Sequence, residues 1–484
     1  MDSDTDKTKY IEKILAILLL FVVFLIIPLK IISKGFLPND DANRHIAFAI
    51  NDHKWSDVLE ITPGLESDHN VGWHKILRFI YKLFRINKND LLLMSTIGLF
   101  LLLNLTGTLV SPNTSAWPIT LIVMFLFDPS LIQRSILGRP YIFSCITTLI
   151  LLKLWFINEQ QTNNKLKYFI SILALTLAVW IHGTWYTFLI LPAALFLSGQ
   201  VRKSINLTIC IILSTIIGAF LTGEFKEFLY FHYSATLNIF SEKIYNWMLV
   251  TEFEEGNIRL LWMVPTVFII ILSIISKKLK LNDLTKDPTF IMILLTWLLS
   301  IKVVRFWLDW GMVALTFWLS FKLSDLIQDM QSVKKPLLRR TFFILIVISL
   351  TMLIPISNWN NKKERNNYIA DFTKKEFAEF KPVEGGIVYN DSMRHFYYQY
   401  FNDPEGKYKY VLGFEPAIML EDNKKIFRDI LYSRFHYKAY KPWVDKLTKN
   451  DRLFTIVDLS KNYPQLDWVK AGEKLYIGKV KTEN

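Results

Sequence analysis

Long apolar runs joined by short polar links fill the first three quarters of the chain. They fall near residues 11–32, 91–110, 119–127, 141–157, 168–181, 185–197, 205–221, 260–275, 290–304, 310–326 and 342–356. A helix needs about 20 apolar residues to cross hydrocarbon, so the pattern predicts about eleven spans, several of them short. The run at 119–127 is thin and breaks at Asp128-Pro129 before resuming to 136. A broken helix of this kind must satisfy its freed backbone groups inside protein. The stretch ILRFIYKLFRI, ahead of the second run, repeats its apolar residues at helical spacing and predicts an amphipathic helix lying at the membrane interface.

The pattern changes after residue 358. Lys, Asp, Asn and Tyr dominate, and the apolar runs shrink to GGIVYN, YKYVLGF, LFTIVDL and KLYIGKV, which have strand length. MRHFYYQYF and DNKKIFRDILYSRF lie between them and have helical periodicity. The expected fold class is an all-α transmembrane bundle over 1–358, with a loop at 34–89, followed by a small extracytoplasmic α/β domain over 359–484.

Composition supports a membrane class. The chain has 484 residues, 52% of them hydrophobic, and a mean hydropathy of +0.27, too apolar for an ordinary soluble protein of this size. The polar start MDSDTDKTKYIEK precedes the first run, and no small-residue cleavage site follows, which predicts an uncleaved anchor. The only cysteines, Cys145 and Cys210, lie within apolar runs, so neither a disulfide framework nor a cysteine metal site is supported. The net charge of +13 is read as basic cytoplasmic links; no phosphate-loop, zinc-finger or RNA-recognition pattern points to nucleic acid.

The basic residues set the orientation. With the N-terminus cytoplasmic, Lys165, Lys167, Arg202, Lys203, Lys277, Lys278, Lys280, Lys286, Lys334, Lys335, Arg339 and Arg340 all fall inside. The 34–89 loop, Arg134, Arg139, the His182-Gly183-Thr184 turn, the aromatic 224–259 segment, Arg305 to Asp309 and the C-terminal domain then share the opposite face.

The candidate chemistry lies on that face. Asp40 and Asp41 follow the first span, and from a helix start at Pro38-Asn39-Asp40 the residues Asp41, Arg44 and His45 share one side at i, i+3 and i+4. A carboxylate flanked by Arg and His suits a general base toward a hydroxyl; the same acids also suit a helix cap. Asp68, His69, Trp73 and His74 offer substrate-lining groups, or in the case of Trp73 an interfacial anchor. Two or three histidines with an aspartate could also bind a divalent ion, but their spacing matches no metal motif. Arg134, Arg139, Arg305 and His182 would hold a phosphate; alternatively the arginines form structural ion pairs, Arg305 with Asp309 at i+4.

In its order of motifs the chain resembles the GT-C superfamily of polytopic membrane glycosyltransferases. The resemblance rests on Phe36-Leu37-Pro38-Asn39-Asp40-Asp41 after the first span, on Arg139-Pro140 after a broken short helix, and on the tail VYNDSMRHFYYQYF then KYKYVLGFEPAIMLED, with Gly413-Phe414-Glu415-Pro416 as its turn. It implies a bacterial inner-membrane enzyme, its C-terminal domain periplasmic, that moves a sugar from a polyprenyl-phosphate donor to a hydroxyl of a glycan or lipid-linked acceptor such as an O-antigen, with inversion. Asp41 or Asp40 would act on the acceptor, and Arg139, Arg134 and Arg305 on the lipid phosphate. The loop after the first span carries Asp40-Asp41 rather than the metal-binding DxD signature of the oligosaccharyltransferase branch, so metal-independent chemistry without a cofactor is expected. The competing readings are an O-antigen polymerase or ligase, a transporter or flippase for lipid-linked sugars, and a non-catalytic glycan-binding partner.

Overall fold

A computed structural model describes residues 24–25, 27–33, 38, 41–51, 53–114, 116–127, 134–157, 164–240, 267, 281–330 and 365–481. The fold is mostly helical, with one small sheet near the C-terminus. Contacts divide the chain into two compact units. The first contains Met1–Lys34, Thr96–Leu221 and Glu252–Trp359; the second contains Gly35–Ser95, Thr222–Thr251 and Asn360–Asn484.

In the first unit the helices follow the apolar runs. Among the described residues three are long and apolar enough to cross a membrane: Lys88–Val110, Asn164–His182 and Val201–Thr222. Tyr141–Phe156, Trp185–Leu197 and Pro288–Ser300 are apolar but shorter. Three helices of spanning length are far fewer than the eleven expected, because several runs stop short of the length that hydrocarbon demands. The expected span at 342–356, and most of those at 11–32 and 260–275, lie outside the described residues.

Several threonines of the apolar helices satisfy their own hydroxyls. The hydroxyls of Thr120, Thr148, Thr296 and Thr316 each donate to the carbonyl one turn back, at 2.7–2.8 Å. This bonding lets a hydroxyl sit among apolar neighbours without an orphan donor. Among the stretches that depart from the α-helix, Leu152–Phe156 and Phe306–Gly311 are π-helical and Trp185–Leu189 is a 3-10 helix. The second π-helical stretch carries Asp309 and leads directly into Met312–Met330.

The second unit is an α/β structure built from three separated parts of the chain. Its sheet has the order β2-β1-β3-β5-β4, with β1 at Ile387–Asn390, β2 at Lys409–Tyr410, β3 at Arg452–Thr455, β4 at Leu466–Gly472 and β5 at Leu475–Val480. β1, β2 and β3 are parallel, and β5 runs antiparallel to β3 and β4. Alternate residues face opposite sides. Val388 and Phe454 join one core with Phe48, Trp55, Leu59, Phe396 and Phe414, while Tyr389 and Leu453 join another with Phe427, Trp443 and Leu459. Burying both faces explains why these strands read as short apolar runs. β4 was not among the expected strands: its sequence LDWVKAG is only partly buried and carries no apolar run.

The expected division at 358/359 kept the 34–89 loop with the bundle. The contacts instead group Gly35–Ser95 with Asn360–Asn484. The reason is backbone pairing at the sheet edge. Leu59 bridges Tyr410 and Ile61 bridges Met419, with Glu60 N–H donating to Tyr410 O at 2.9 Å and Thr62 N–H to Ile418 O at 2.8 Å. Side chains seal the joint: a Cβ on Gly413 would stand 2.7 Å from the Leu59 side chain. Apolar periodicity registers a strand of several residues, and two isolated bridges leave it no signal.

Candidate functional site

Each unit contains a cluster of the residues singled out above. In the helical unit the centre is Asp309, which is fully buried. Arg305, one turn earlier, donates from Nε to one carboxylate oxygen at 2.9 Å. Arg134 donates from Nη2 to the other oxygen. The i, i+4 pairing of Arg305 with Asp309 was expected; the second guanidinium, 175 positions away in the chain, was not. A buried carboxylate needs this company, because desolvation of an unpaired charge costs several kcal/mol by order of magnitude. Tyr141 closes the cluster: its hydroxyl donates to the Arg134 carbonyl, and its ring lies 4.6 Å from the Arg134 guanidinium carbon. The Cys145 thiol donates to the Asp309 carbonyl at 3.3 Å.

His182 belongs to the same cluster. Arg305 Nη2 lies 3.1 Å from His182 Nε2. A guanidinium only donates, so Nε2 must accept and the ring proton sits on Nδ1. From there it is given to Ser144 Oγ at 2.8 Å or Thr184 Oγ1 at 2.9 Å. Gly183, with φ at 76°, provides the left-handed turn that follows His182. Arg134, Arg305 and His182, three of the four residues expected to hold phosphate, thus converge through Asp309. Arg139 lies half-buried just ahead of the Tyr141–Leu151 helix, after Gly138 with φ at 67°.

The second cluster is built on the Asp41–Ile50 and Val71–Phe84 helices, which pack on each other. Asp41 opens its helix and accepts from Arg44 Nε at 2.8 Å. Arg44 is buried, its guanidinium carbon 4.0 Å from the centre of the Phe414 ring and 5.4 Å from that of Trp55. Asp40 lies outside the described residues.

The expected substrate-lining residues form a hydrogen-bonded chain. His74 Nδ1 stands 2.6 Å from Asp68 Oδ2, and His74 Nε2 stands 2.8 Å from His45 Nδ1. Both histidines are buried, with Phe48 and Trp55 packed against His74. Burial pushes the Asp68 carboxyl up, but the charge and hydrogen bond of His74, then the charge of His69 and the Asn70 N–H, together bring it below the ordinary range. His69 stacks on Phe231 at 5.1 Å and lies edge-on to His232 at 6.3 Å. Burial first, and the Arg44 charge second, lower His69 to about 3; burial, then His69, does the same to His232, also to about 3. Trp73 is buried within the unit.

Several participants escaped the sequence reading. Asp309 was seen only as a partner of Arg305, and Tyr141, Ser144 and Thr184 lack any pattern that marks them. His232 could have been noticed as a histidine within the aromatic 224–259 segment. Among the described residues no group of three or more His, Cys, Asp or Glu is placed to hold a metal ion. Searches of protein-family models and of curated proteins found no match to the chain.

Proposed function

We propose that this chain is a membrane glycosyltransferase of GT-C type, moving a sugar from a polyprenyl-phosphate donor to a hydroxyl of a surface glycan or lipid-linked acceptor. The observation that carries the reading is the buried Arg134–Asp309–Arg305–His182 cluster in the helical unit. Charges among apolar helices are costly and mark functional positions by default. π-helical turns, such as the one presenting Asp309, also occur frequently at functional sites. Arginines are the side chains best matched to phosphate oxygens, and a departing lipid phosphate gains negative charge as the sugar leaves. Asp41, at a helix start and beside Arg44, is the group first expected to act on the acceptor hydroxyl. The reading carries with it a multi-pass bundle in a bacterial inner membrane, N-terminus cytoplasmic and C-terminal α/β domain periplasmic.

The test is turnover. The purified full chain in nanodiscs is given a panel of radiolabelled polyprenyl-phosphate sugars with a polysaccharide or lipid-linked acceptor. Consumption of at least one donor is expected, with Arg305→Gln slower by on the order of 10²-fold. If the wild type consumes none, the transferase reading fails. Movement of a donor across the bilayer without cleavage would instead establish the transporter reading.

A further inference from the structure

Arg365 is a buried guanidinium without an anion. It is 8% exposed, and its side chain makes neither an ion pair nor a hydrogen bond among the described residues. A buried cation ordinarily has a carboxylate beside it, because desolvation of an unpaired charge is costly. Burial lowers the Arg365 guanidinium to about 10, against a smaller pull from the Tyr398 phenol, and no carboxylate contributes. Nε is sealed from solvent with nothing to donate to, whereas the two Nη nitrogens are not sealed, so the fork ends at the surface.

A second cation stands by the same aromatic ring. The Arg365 guanidinium carbon lies 4.5 Å from the centre of the Phe401 ring, and Lys88 Nζ lies 5.4 Å from it. The two charges repel each other. Lys88 Nζ donates to the Asn402 carbonyl at 2.7 Å, which leaves two of its three protons unused. The carboxylates whose charge reaches Lys88 are Asp403 and Glu405. Asp403 is already held by Lys381 at 2.8 Å and by the Tyr408 hydroxyl at 3.1 Å. The face of Phe401 attracts cations but carries no net charge to neutralise them. Arg365 and Lys88 therefore present positive charge and unused donors together, a combination suited to phosphate oxygens.

Lys88 also indicates what kind of phosphate. It opens Lys88–Val110, one of the helices long and apolar enough to cross a membrane. The Val71–Phe84 helix ends four residues earlier. Phe79, Leu83 and Phe84 stand largely exposed on it, and Lys75, Lys82 and Arg85 are exposed as well. Lys75, Phe79 and Leu83 follow one face at i, i+4 and i+8. An exposed face of apolar and basic residues that leads into a spanning helix fits an anionic bilayer surface. All of these residues belong to the second unit.

We propose that Arg365 and Lys88 form a site for the phosphate of an anionic phospholipid, with Phe79, Leu83 and Phe84 set into the same leaflet. The proposal rests on the membrane placement in the reading above and not on sugar transfer. The phosphate oxygens accept from the unused N–H groups, and the lipid's negative charge relieves the repulsion between the two cations. A zwitterionic headgroup brings its own ammonium and leaves them uncompensated.

Unfolding midpoints of the full chain in nanodiscs test the site, with phosphatidylcholine as the reference bilayer and phosphatidylglycerol as the anionic one. The wild type should be more stable in phosphatidylglycerol. Arg365→Gln should lose most of that gain, yet unfold no lower than the wild type in phosphatidylcholine, because it removes a buried charge that has no partner there. Native mass spectrometry in detergent containing both lipids should show Arg365→Gln retaining phosphatidylglycerol roughly 10-fold less than the wild type. Lys441→Gln removes an equal charge from an exposed pair with Asp445 and should change neither readout. An equal loss in Lys441→Gln would reduce the effect to general attraction by a basic protein and overturn the site. A midpoint of Arg365→Gln that falls alike in both lipids would do the same, because it marks a purely structural arginine. Inorganic phosphate added to the phosphatidylcholine discs is the last arm: stabilisation equal to that given by phosphatidylglycerol overturns the lipid assignment in favour of a free anion. A chain that nanodiscs do not retain defeats the membrane placement itself, and one retained without preference for phosphatidylglycerol defeats this site alone.

Discussion

Arg305 Nε and the carboxylate of Asp309 meet at 2.9 Å within one π-helical turn, and the second oxygen of the same carboxylate is held by Arg134. One acid therefore ties two arginines from distant parts of the chain. Replacing it by an isostere keeps the shape and removes the charge, so Asp309→Asn leaves two guanidiniums facing a neutral amide. The expected loss is about 3–5 kcal/mol, the range seen when one partner of a buried ion pair is removed. Thermal unfolding of the detergent-solubilised chain measures it. A midpoint equal to that of the wild type would mean that the cluster contributes nothing to the fold.

Arg305 also reaches His182 through Nη2 at 3.1 Å. Its planar fork holds two partners at once, which a lysine ammonium on a flexible stem does not reproduce. Arg305→Lys should retain the contact with Asp309 and lose the one that fixes the proton of His182 on Nδ1. The variant should unfold within about 1 kcal/mol of the wild type yet turn over donor roughly 10-fold or more slowly. Full activity in Arg305→Lys would reduce Arg305 to a point charge.

The two clusters differ in how far the sequence announces them. Arg305 with Asp309, and Asp41 with Arg44, are one helical turn apart, and simple spacing finds both pairs. Asp68, His74 and His45 stand out as a polar segment, but their order in space depends on the crossing of two helices, which spacing alone does not supply. Arg134 reaching Asp309 is a tertiary contact with no local trace. The same holds for the fold. Apolar runs located the long helices of the first unit and four of the five strands, because burial on a core writes itself into periodicity. They did not reveal that Leu59 and Ile61 join the edge of a sheet formed more than 300 residues later, since backbone hydrogen bonds leave side-chain identity unconstrained.

Gly311 ends the π-helical turn that presents Asp309. A Cβ built there would sit 2.5 Å from the Trp307 ring and 2.8 Å from Thr296 Oγ1, closer than side chains tolerate. Trp307 is fully buried and cannot swing away freely. Gly311→Ala should cost about 1–3 kcal/mol through overpacking. It should also lower turnover by more than that instability explains, because relief of the clash displaces the turn that carries Asp309 and Arg305. Unfolding midpoints and initial rates on the same preparation separate the two effects, and an unchanged rate in a destabilised variant would remove the turn from the mechanism.

The second unit predicts an unusual stability profile. Asp391 lies at the end of β1 and accepts from the Tyr440 hydroxyl at 2.7 Å and from Ile456 N–H at 3.1 Å. Burial nevertheless raises its carboxyl to about 7 from an ordinary 3.8. The folded state then holds a proton that the unfolded chain has released, so this group makes stability fall as pH rises from about 4 to about 7. Three buried histidines act in the opposite sense. His395 is lowered by burial to about 4, and His69 and His232 to about 3, each from 6.5. Each is protonated in the unfolded chain before it is in the folded one, so its contribution is complete above 6.5 and is lost as pH falls toward 3–4. Between about pH 4 and 6.5 three protons favour unfolding and one opposes it, a net of two, each changing stability by roughly 1.4 kcal/mol per pH unit. Stability should therefore climb to an optimum near pH 6.5 and decline slightly toward 7 as Asp391 ionises. Asp391→Asn should abolish that decline and steepen the acid limb from two protons to three. Unfolding midpoints of both proteins from pH 4.5 to 8 provide the comparison, and an unaltered profile in Asp391→Asn would show that its carboxyl titrates like an exposed one.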